Sequence, residues 1–160
     1  MLLGIDPLLG PELLMILRAM GHGDEIVIAD VNFPATTNAK RLVRLDGASA
    51  SDAIKAVLSV LPLDSFVESP ANGMQVVGKP DEIPPAISDF QTIVDSLAGF
   101  PVRIGRIERF AFYERVKNCF AVVATGDRRL YANIILAKGV IGADGKVVAC
   151  PETRSASAPD

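Results

Sequence analysis

Apolar residues recur along the chain with two spacings, and each spacing predicts a different kind of element. Four of them after Pro11 fall on roughly one face of a helix, as in an amphipathic segment: Leu13, Leu14, Leu17 and Met20. Pro11 suits the first position of that helix, and Gly21 is a natural C-terminal cap. The next stretch, EIVIAD (25–30), is a nearly continuous apolar run, which is typical of a strand buried on both faces.

The same alternation of patterns continues along the chain. The predicted elements are a strand over 41–46, a helix over 51–61 capped by Ser49 or Ser51, a strand over 74–79, a helix over 85–99 closed by Gly99, a strand over 102–107, a short helix over 108–118, and strands over 119–125 and 133–139. The polar loop GDRRLYA joins the last two strands.

Strands that alternate with helices predict an α/β fold, a single layered domain whose mixed, largely buried β-sheet is flanked by helices. Residues 1–146 are expected to form this domain. Residues 147–160, which end in the small and polar stretch CPETRSASAPD, are expected to form a flexible C-terminal tail. In such sheets ligand sites collect at strand ends and in the loops that leave them.

Composition narrows the class of protein. The chain has 160 residues, of which 49% are hydrophobic and 22% charged, as in one ordinary globular domain. Its formal net charge of -3 argues against nucleic acid or an anionic membrane as a partner. No stretch reaches the ~20 apolar residues that span a bilayer, and the N-terminus lacks the basic region of a signal peptide. A cytoplasmic location is expected.

The residues that could bind a cofactor are few. Cys119 and Cys150 have neither a metal-binding spacing nor a disulfide framework, and are expected to be reduced thiols. With one histidine and no cysteine pair, a structural zinc is not expected. The chain also lacks a phosphate-binding loop, a dinucleotide fingerprint and the G-x-S-x-G turn of hydrolases. No metal and no cofactor are therefore predicted.

His22, the single histidine, stands between two glycines, after the first predicted helix and before the first predicted strand. It could be a polar residue of a turn or the acid of a site. The glycines would let a ligand approach the ring, the helix end favours a protonated imidazole, and Asp24 or Asp30 could orient it. These arguments leave the two interpretations evenly balanced.

Other polar residues at strand ends could bind hydroxyl groups. Asp30 closes an apolar run, as either an ordinary turn aspartate or an acceptor for ligand hydroxyls. Arg109 lies among aromatic residues. It could belong to a solvated helix face, or it could clamp a polyhydroxylated ligand. Tyr131 and Asn133 are expected on one side of a strand, where they could offer a hydroxyl and an amide.

Three blocks of sequence resemble one family. They are GIDPLLGPELLMILRAMGHGDEIVIADVNFP, RIERFAFYERV and FAVVATGDRRLYANIILAKGV, and they resemble the fucose mutarotase and ribose pyranase (RbsD/FucU) family. The resemblance covers about residues 2–140, and the GHGDE and RFAFYER blocks are closer to the fucose branch. Asn32 departs from a fucose-branch relative that carries histidine there, which leaves the sugar preference open.

The resemblance implies an activity and a site. Family members interconvert the α and β anomers of free monosaccharides, here L-fucose or a related sugar, without a cofactor. The family histidine, matched by His22, is the proposed proton donor. The substrate-contacting positions are matched by Asp30, Arg109, Tyr131, Ala132 (through its backbone) and Asn133. Members assemble into ring-shaped homo-oligomers, often decamers, with sites near subunit contacts.

Two rival hypotheses remain at this point. The chain could be a non-catalytic sugar-binding or regulatory module linked to sugar uptake, which would use Asp30, Arg109 and Asn133 but not His22. It could also be a structural α/β oligomer whose Gly-His-Gly turn only packs at an interface. Catalysis of anomer exchange by the native protein separates the enzyme from both alternatives.

Overall fold

Helices and strands alternate along residues 2–150, the part of the chain that the computed structural model describes. This part contains five helices and six strands. In chain order they are α1 (Pro11–Ala19), β1 (Glu25–Ala29), α2 (Ala35–Asn38), β2 (Leu42–Leu45), α3 (Ala50–Leu58), β3 (Ala71–Met74), α4 (Pro85–Leu97), β4 (Gly105–Ile107), α5 (Arg109–Val116), β5 (Ala121–Thr125) and β6 (Ile134–Ala137).

The six strands form one mixed sheet in the order β2-β5-β1-β6-β3-β4. Strand β6 runs antiparallel to both of its neighbours, β1 and β3, and the other pairs are parallel. The N-terminal end of β6 therefore lies at the same edge of the sheet as the C-terminal ends of the other five strands. This edge is where the parallel part of an α/β sheet usually binds ligands.

Both faces of the sheet are covered, because successive side chains of a strand point to opposite faces. Ile26 and Ile28 of β1 join the larger core, which α1, α3 and α4 complete. Val27 and Ala29 of the same strand join a smaller core with residues of α5. The predicted α/β domain with a mixed, largely buried sheet is confirmed.

Several predicted helix ends are also confirmed. Pro11 is the first residue of α1. The Ser49 side chain accepts a hydrogen bond from the Asp52 backbone N–H at 3.1 Å and so caps α3. Gly99, just past the end of α4, has a φ of +76°, a left-handed conformation that favours glycine.

The predicted cap of α1 is wrong. The chain leaves α1 through Met20, which has extended backbone angles, and Gly21 has no positive φ. The left-handed residue of this connection is Gly23, with a φ of +81°. In the turn that carries His22, the residue with left-handed backbone angles therefore follows the histidine and does not precede it.

The predicted strand over 74–79 is wrong in position, because β3 covers Ala71–Met74 and Val76 pairs with Lys79 across a tight turn. The sequence of β3 does not indicate a strand, since Asn and Gly are disfavoured in strands. A Cβ atom at Gly73 would lie 2.6 Å from Cδ1 of Ile87, so the Ile87 side chain, as it packs here, lies directly against the glycine. Strand pairing and close packing thus outweigh local preference here.

Two smaller differences concern edge segments. The predicted strand over 102–107 is reduced to β4, because the Gln91 side chain bonds the backbone of Val102 and Ile104. No apolar pattern predicts the four-residue helix α2.

Part of the predicted tail lies within the described residues. The Val148 N–H donates to the Val140 carbonyl, and the Cys150 N–H donates to Ser65 Oγ. Residues 151–160 lie outside the described residues, and the domain boundary stays a prediction. Among the helices found between residues 2 and 150, none has the length and apolarity that crossing a membrane requires.

Candidate active site

The predicted site residues lie at the two ends of one strand. His22 precedes β1 and Asp30 follows it, so the five residues of β1 separate them by roughly 16 Å at about 3.3 Å per residue. Asn133 precedes β6, next to the Asp30 end, and Arg109 follows β4 at the same edge. A single copy of the chain therefore places five of the predicted residues at one edge of the sheet, with Arg109 two strands away from Asn133, and places His22 at the opposite edge.

A buried pair of polar side chains forms the centre of the Asp30 end. Asp30 and Asn133 are 5% and 4% exposed. The Asn133 amide donates to Asp30 Oδ2 at 2.7 Å, and its Oδ1 accepts the Asp30 backbone N–H at 2.9 Å. The Asn32 N–H donates to Asp30 Oδ1 at 2.9 Å. Both carboxylate oxygens are thus held in fixed positions.

The protonation of Asp30 is shifted by its surroundings. Burial raises the pKa of the carboxyl above its ordinary value of 3.8, and the negative charge of Asp127 acts in the same direction. Hydrogen bonds from Asn32, Asn133 and Phe33 partly oppose this rise in pKa. A carboxylate with a raised pKa at a strand end is a candidate for proton transfer as well as for binding hydroxyls.

Tyr131 adopts a strained conformation beside this pair. Its φ is +60°, which makes it the one residue other than glycine with a positive φ among residues 2–150. Such a conformation costs about 1–3 kcal/mol and is concentrated at functional sites. The Tyr131 hydroxyl accepts a hydrogen bond from the Val77 N–H at 3.2 Å, and Ala132 is fully buried. Tyr131 belongs to a turn, so the expected strand geometry of Tyr131 and Asn133 is wrong.

Arg109 begins α5, which Glu108 caps by accepting the Phe110 and Ala111 N–H groups. Its guanidinium carbon lies 4.7 Å from the centre of the Phe110 ring. Arg109 Nε is buried and makes no hydrogen bond, and no other buried side-chain nitrogen or oxygen of the described chain lacks a partner. A buried unpaired donor costs about 1–3 kcal/mol of folding free energy, so a hydrogen bond from Arg109 Nε to a ligand would remove this cost.

The other end of β1 holds the imidazole. The His22 side chain is 49% exposed, and its Nε2 lies 3.1 Å from Oδ2 of Asp64, which is 2% exposed. The His22 and Phe66 rings meet edge to face, with 5.8 Å between their centres. The ring is therefore open on one side and has a buried carboxylate on the other.

Two expectations about the surroundings of His22 are wrong within one copy of the chain. Asp24 does not orient the ring, because its Oδ2 accepts the Gly21 N–H at 2.7 Å. Asp30 is at the far end of β1. The C-terminal end of α1, which was expected to favour a protonated imidazole, also binds a second cation. The Lys138 ammonium group contacts the Met20 carbonyl there. The carboxylate that contacts the ring is that of Asp64.

Sequence patterns miss Asp64. It stands 42 residues from His22, in the apolar stretch LPLDSF between two predicted elements. A lone carboxylate within an apolar run is the one available signal, and it does not indicate a partner.

The described residues offer few groups for metal binding or thiol chemistry. In residues 2–150 no three His, Cys, Asp or Glu side chains are grouped so that they could hold a metal ion. Burial, with Glu25 nearby, raises the pKa of the Cys119 thiol to about 12, so this thiol stays protonated near neutral pH.

One edge of this mixed α/β domain carries a buried carboxylate, an unpaired arginine Nε and a tyrosine hydroxyl, which is the chemistry of a site for a polar small molecule. The model of the RbsD / FucU transport protein family matches residues 3–141. The chain belongs to this family, as its sequence blocks predict.

Relatives and solved structures agree over most of the chain. The fucose mutarotases of Bos taurus and Homo sapiens are 48% and 47% identical to it over 144 residues, which cover 86% of this chain and 93% of each relative. The crystal structure of a fucose mutarotase in complex with L-fucose from Streptococcus pneumoniae is similar with a TM-score of 0.82 and 42% identity, covering 88% of this chain and 100% of that one. The structure of Bacillus subtilis RbsD complexed with D-ribose shares the fold, with a TM-score of 0.65 and 21% identity over 84% and 95% of the two chains.

Proposed function

We propose that this protein is a monosaccharide mutarotase that interconverts the α and β anomers of L-fucose or a related free sugar. The observation that carries the proposal is its similarity to a fucose mutarotase solved with L-fucose, over the whole length of that protein. The buried Asp30–Asn133 pair and the unpaired Arg109 Nε support the proposal, because a sugar offers many hydroxyl groups as donors and acceptors.

Mutarotation needs two proton transfers and no net change in atoms or electrons. One proton leaves the anomeric hydroxyl and one reaches the ring oxygen, so that the C1–O5 bond breaks and an aldehyde forms. The C1–C2 bond then rotates, and the ring closes on the other face with both protons returned. Positioned acid and base groups supply about 10²- to 10⁴-fold acceleration of such a step.

The roles we assign follow this chemistry. His22 donates the proton to the ring oxygen. Asp30 binds a hydroxyl group, and its raised pKa also suits it to receive a proton. Arg109, Tyr131 and Asn133 bind further hydroxyls, with the Ala132 backbone between the last two. Tyr131 is a second candidate for moving a proton.

A complete site then requires two copies of the chain, because His22 and Asp30 lie at opposite ends of β1. We infer that the His22 end of one subunit meets the Asp30 end of the next. Exposed apolar side chains support a contact at both ends: Phe66 and Val67 near His22, and Val31, Phe110 and Leu130 near the other site residues. A contact between two different surfaces closes into a ring when the rotation allows it, and a decamer is the ring we propose.

A cytoplasmic location belongs to the same proposal, because free monosaccharides are available there. The net charge of -3 supports the absence of nucleic acid and anionic membranes among its partners.

The test is magnetisation-exchange NMR on L-fucose, D-ribose, D-galactose and related free sugars, with native protein and with His22→Ala. With native protein we expect faster exchange between the anomer signals of at least one sugar than in its absence. In His22→Ala the catalysed rate should be lower than the native rate by a factor of about 10² or more. Unchanged exchange across the whole panel would refute the enzyme. Full exchange in His22→Ala would remove His22 as the donor and leave the enzyme standing.

A non-catalytic sugar-binding module is the second candidate. A crystal structure described as a putative sugar binding protein favours it, with a TM-score of 0.85 and 43% identity over 89% of this chain and 97% of that one. This candidate predicts saturable binding of a sugar, measured by calorimetry, with no acceleration of anomer exchange.

A further inference from the structure

The turn over residues 76–79, between β3 and α4, has no role in the function proposed so far. We propose that the backbone N–H of Val77, in this turn, positions the Tyr131 phenol so that its hydroxyl donates a hydrogen bond to the bound sugar. This inference rests on the proposed mutarotase and concerns the same site. It adds a positioning residue that acts through its main chain and not through its side chain.

The contact between Val77 and Tyr131 decides which way the phenol proton points. The Val77 N–H donates to Tyr131 Oη at 3.2 Å. An N–H only donates, so the phenol oxygen is the acceptor here and its own proton is left for another partner. Within residues 2–150 no protein acceptor is found for that proton. Tyr131 is partly exposed, so the oxygen of a ligand can accept this hydrogen bond.

The backbone of Tyr131 is held on both sides. Two residues earlier, the Arg129 guanidinium donates two hydrogen bonds to the Asp127 carboxylate. Two residues later, the Asn133 side chain is bonded to Asp30. The left-handed conformation of Tyr131, with a φ of +60°, is therefore maintained by its surroundings. The phenol leaves this backbone in one direction, and the contact with Val77 fixes its far end.

The turn over residues 76–79 is itself anchored to the sheet. Before the turn, the Gln75 N–H donates to the Ile107 carbonyl at 2.8 Å. After it, the Arg106 guanidinium donates to the Pro80 carbonyl at 2.8 Å. Both partners belong to β4. The N–H that contacts the phenol therefore has a fixed direction.

The geometry of the turn allows this one N–H to be removed. The Lys79 N–H donates to the Val76 carbonyl at 3.1 Å, which closes a β-turn. Gly78, at the third position, has a φ of +75°, whereas Val77, at the second, has no positive φ. A positive φ at the third position alone is typical of a type II turn, whose second position favours proline. Val77→Pro therefore keeps the turn and removes the donor, because proline has no backbone N–H.

Val77→Ala is the matched comparison, because it shortens the same exposed side chain and keeps the N–H. We expect kcat/KM for anomer exchange to be about threefold to tenfold lower in Val77→Pro than in Val77→Ala, the factor that corresponds to one neutral hydrogen bond. The dissociation constant of the sugar, measured by calorimetry, should rise by a similar factor. A hydroxyl that donates to the bound sugar contributes to binding as well as to the rate.

A second measurement reports on the phenol itself. The chain has two tyrosines, so tyrosine labelled with ¹³C at Cζ gives two NMR signals, and Tyr113→Phe identifies the signal of Tyr131. Val77→Pro should shift the Tyr131 signal, because a hydrogen bond to the phenol oxygen changes the electron density at Cζ, and Val77→Ala should not. Replacing Val77 by its α-hydroxy acid, which puts an oxygen in place of the N–H, makes the same deletion without proline and should give the same shift.

Tyr131→Phe separates positioning from a purely structural role. If the Val77 N–H acts through the phenol, then Val77→Pro and Val77→Ala bind the sugar equally well when each is combined with Tyr131→Phe. A difference that persists in these double variants, or a Tyr131 signal that neither deletion of the N–H shifts, would overturn the proposal. If the native protein binds a sugar without exchanging its anomers, the mutarotase fails while the dissociation constants still decide the role of Val77.

Discussion

The two ends of β1 solve different problems with similar residue types. At the Asp30 end, the carboxylate is buried, bonded to Asn133 and Asn32, and its pKa is raised. At the His22 end, the carboxylate of Asp64 is buried and the imidazole it contacts is half exposed. One end presents a rigid set of buried groups for hydroxyls, and the other presents a single imidazole that is open to a ligand on one side.

In the function proposed above, this difference is the reason that neither end is a complete site. Groups that bind hydroxyls must keep fixed positions. The packed ends of the central strands hold Asp30 and Asn133 in this way. A proton donor must meet the ligand from an open side, and His22 has the exposure for this. The five residues of β1 keep the two kinds of group apart in one chain, so the proposed site needs a second subunit.

Mixing two inactive variants tests this comparison with the largest expected effect. His22→Ala and Asp30→Asn should each show little anomer exchange alone. After the two are unfolded and refolded together in equal amounts, roughly a quarter of the head-to-tail contacts combine an intact His22 with an intact Asp30. We therefore expect about a quarter of native activity per subunit, measured by magnetisation-exchange NMR.

Each variant refolded alone is the control for that mixture, and a sizing column confirms that all three samples have one assembly state. A mixture no more active than its components would show that the two ends do not meet across subunits. A protein that elutes as a monomer would have the same consequence.

Arg109 provides a second test at the Asp30 end. Its unpaired Nε costs stability unless a ligand bonds to it, so Arg109→Met should keep or raise the free energy of unfolding, by up to about 1 kcal/mol. The same change should lower kcat/KM for anomer exchange about tenfold or more, since a hydrogen bond to a charged group contributes about 1.5–3 kcal/mol. Urea unfolding and NMR exchange measure the two effects.

Arg115→Met is the matched control for this prediction. Arg115 has the same side chain in the same helix but is paired with Glu25, so its replacement should lower stability. A loss of stability in Arg109→Met as large as in Arg115→Met would mean that Arg109 is a structural residue.

The sequence predicts one end of β1 better than the other. Asp30 and Asn133 stand beside strands whose apolar runs are plain, so their shared edge follows from the alternation of elements. The strain at Tyr131 and the unpaired Nε of Arg109 depend on packing between distant segments, which no local pattern records.

The His22 end is harder to predict because its carboxylate comes from elsewhere in the chain. The neighbours in sequence, Asp24 and Asp30, were the natural candidates, yet the first bonds to its own turn and the second lies across the sheet. Asp64 reaches the ring through the pairing of Leu63 with Lys138 at the end of β6. The same dependence on pairing places β3 at Ala71–Met74, where local preferences do not indicate a strand.

Asp127 offers the smallest and most specific test, because it lies beside Asp30 and its pKa is shifted in the opposite direction. Hydrogen bonds from the Arg129 guanidinium hold the pKa of Asp127 below its ordinary value of 3.8. A lowered pKa stabilises the folded state at pH values above 3.8, and this contribution is lost as pH falls through the lower folded value. Burial raises the pKa of Asp30, whose contribution is present below 3.8 and is lost as pH rises through the raised value.

Asp127→Asn should therefore lower the free energy of unfolding at neutral pH by about 1–3 kcal/mol, the cost of leaving a buried donor unpaired. The difference from native protein should shrink as pH falls below 3.8 and be smallest below the lowered folded pKa, where the native carboxylate is protonated too. Urea unfolding at a series of pH values measures this. Asp46→Asn is the control, because the Asp46 side chain is 65% exposed in its pair with Arg44 and its loss should change little. If the difference between Asp127→Asn and native protein did not depend on pH, the charge of Asp127 would not stabilise this edge, and the contrast with Asp30 would rest on burial alone.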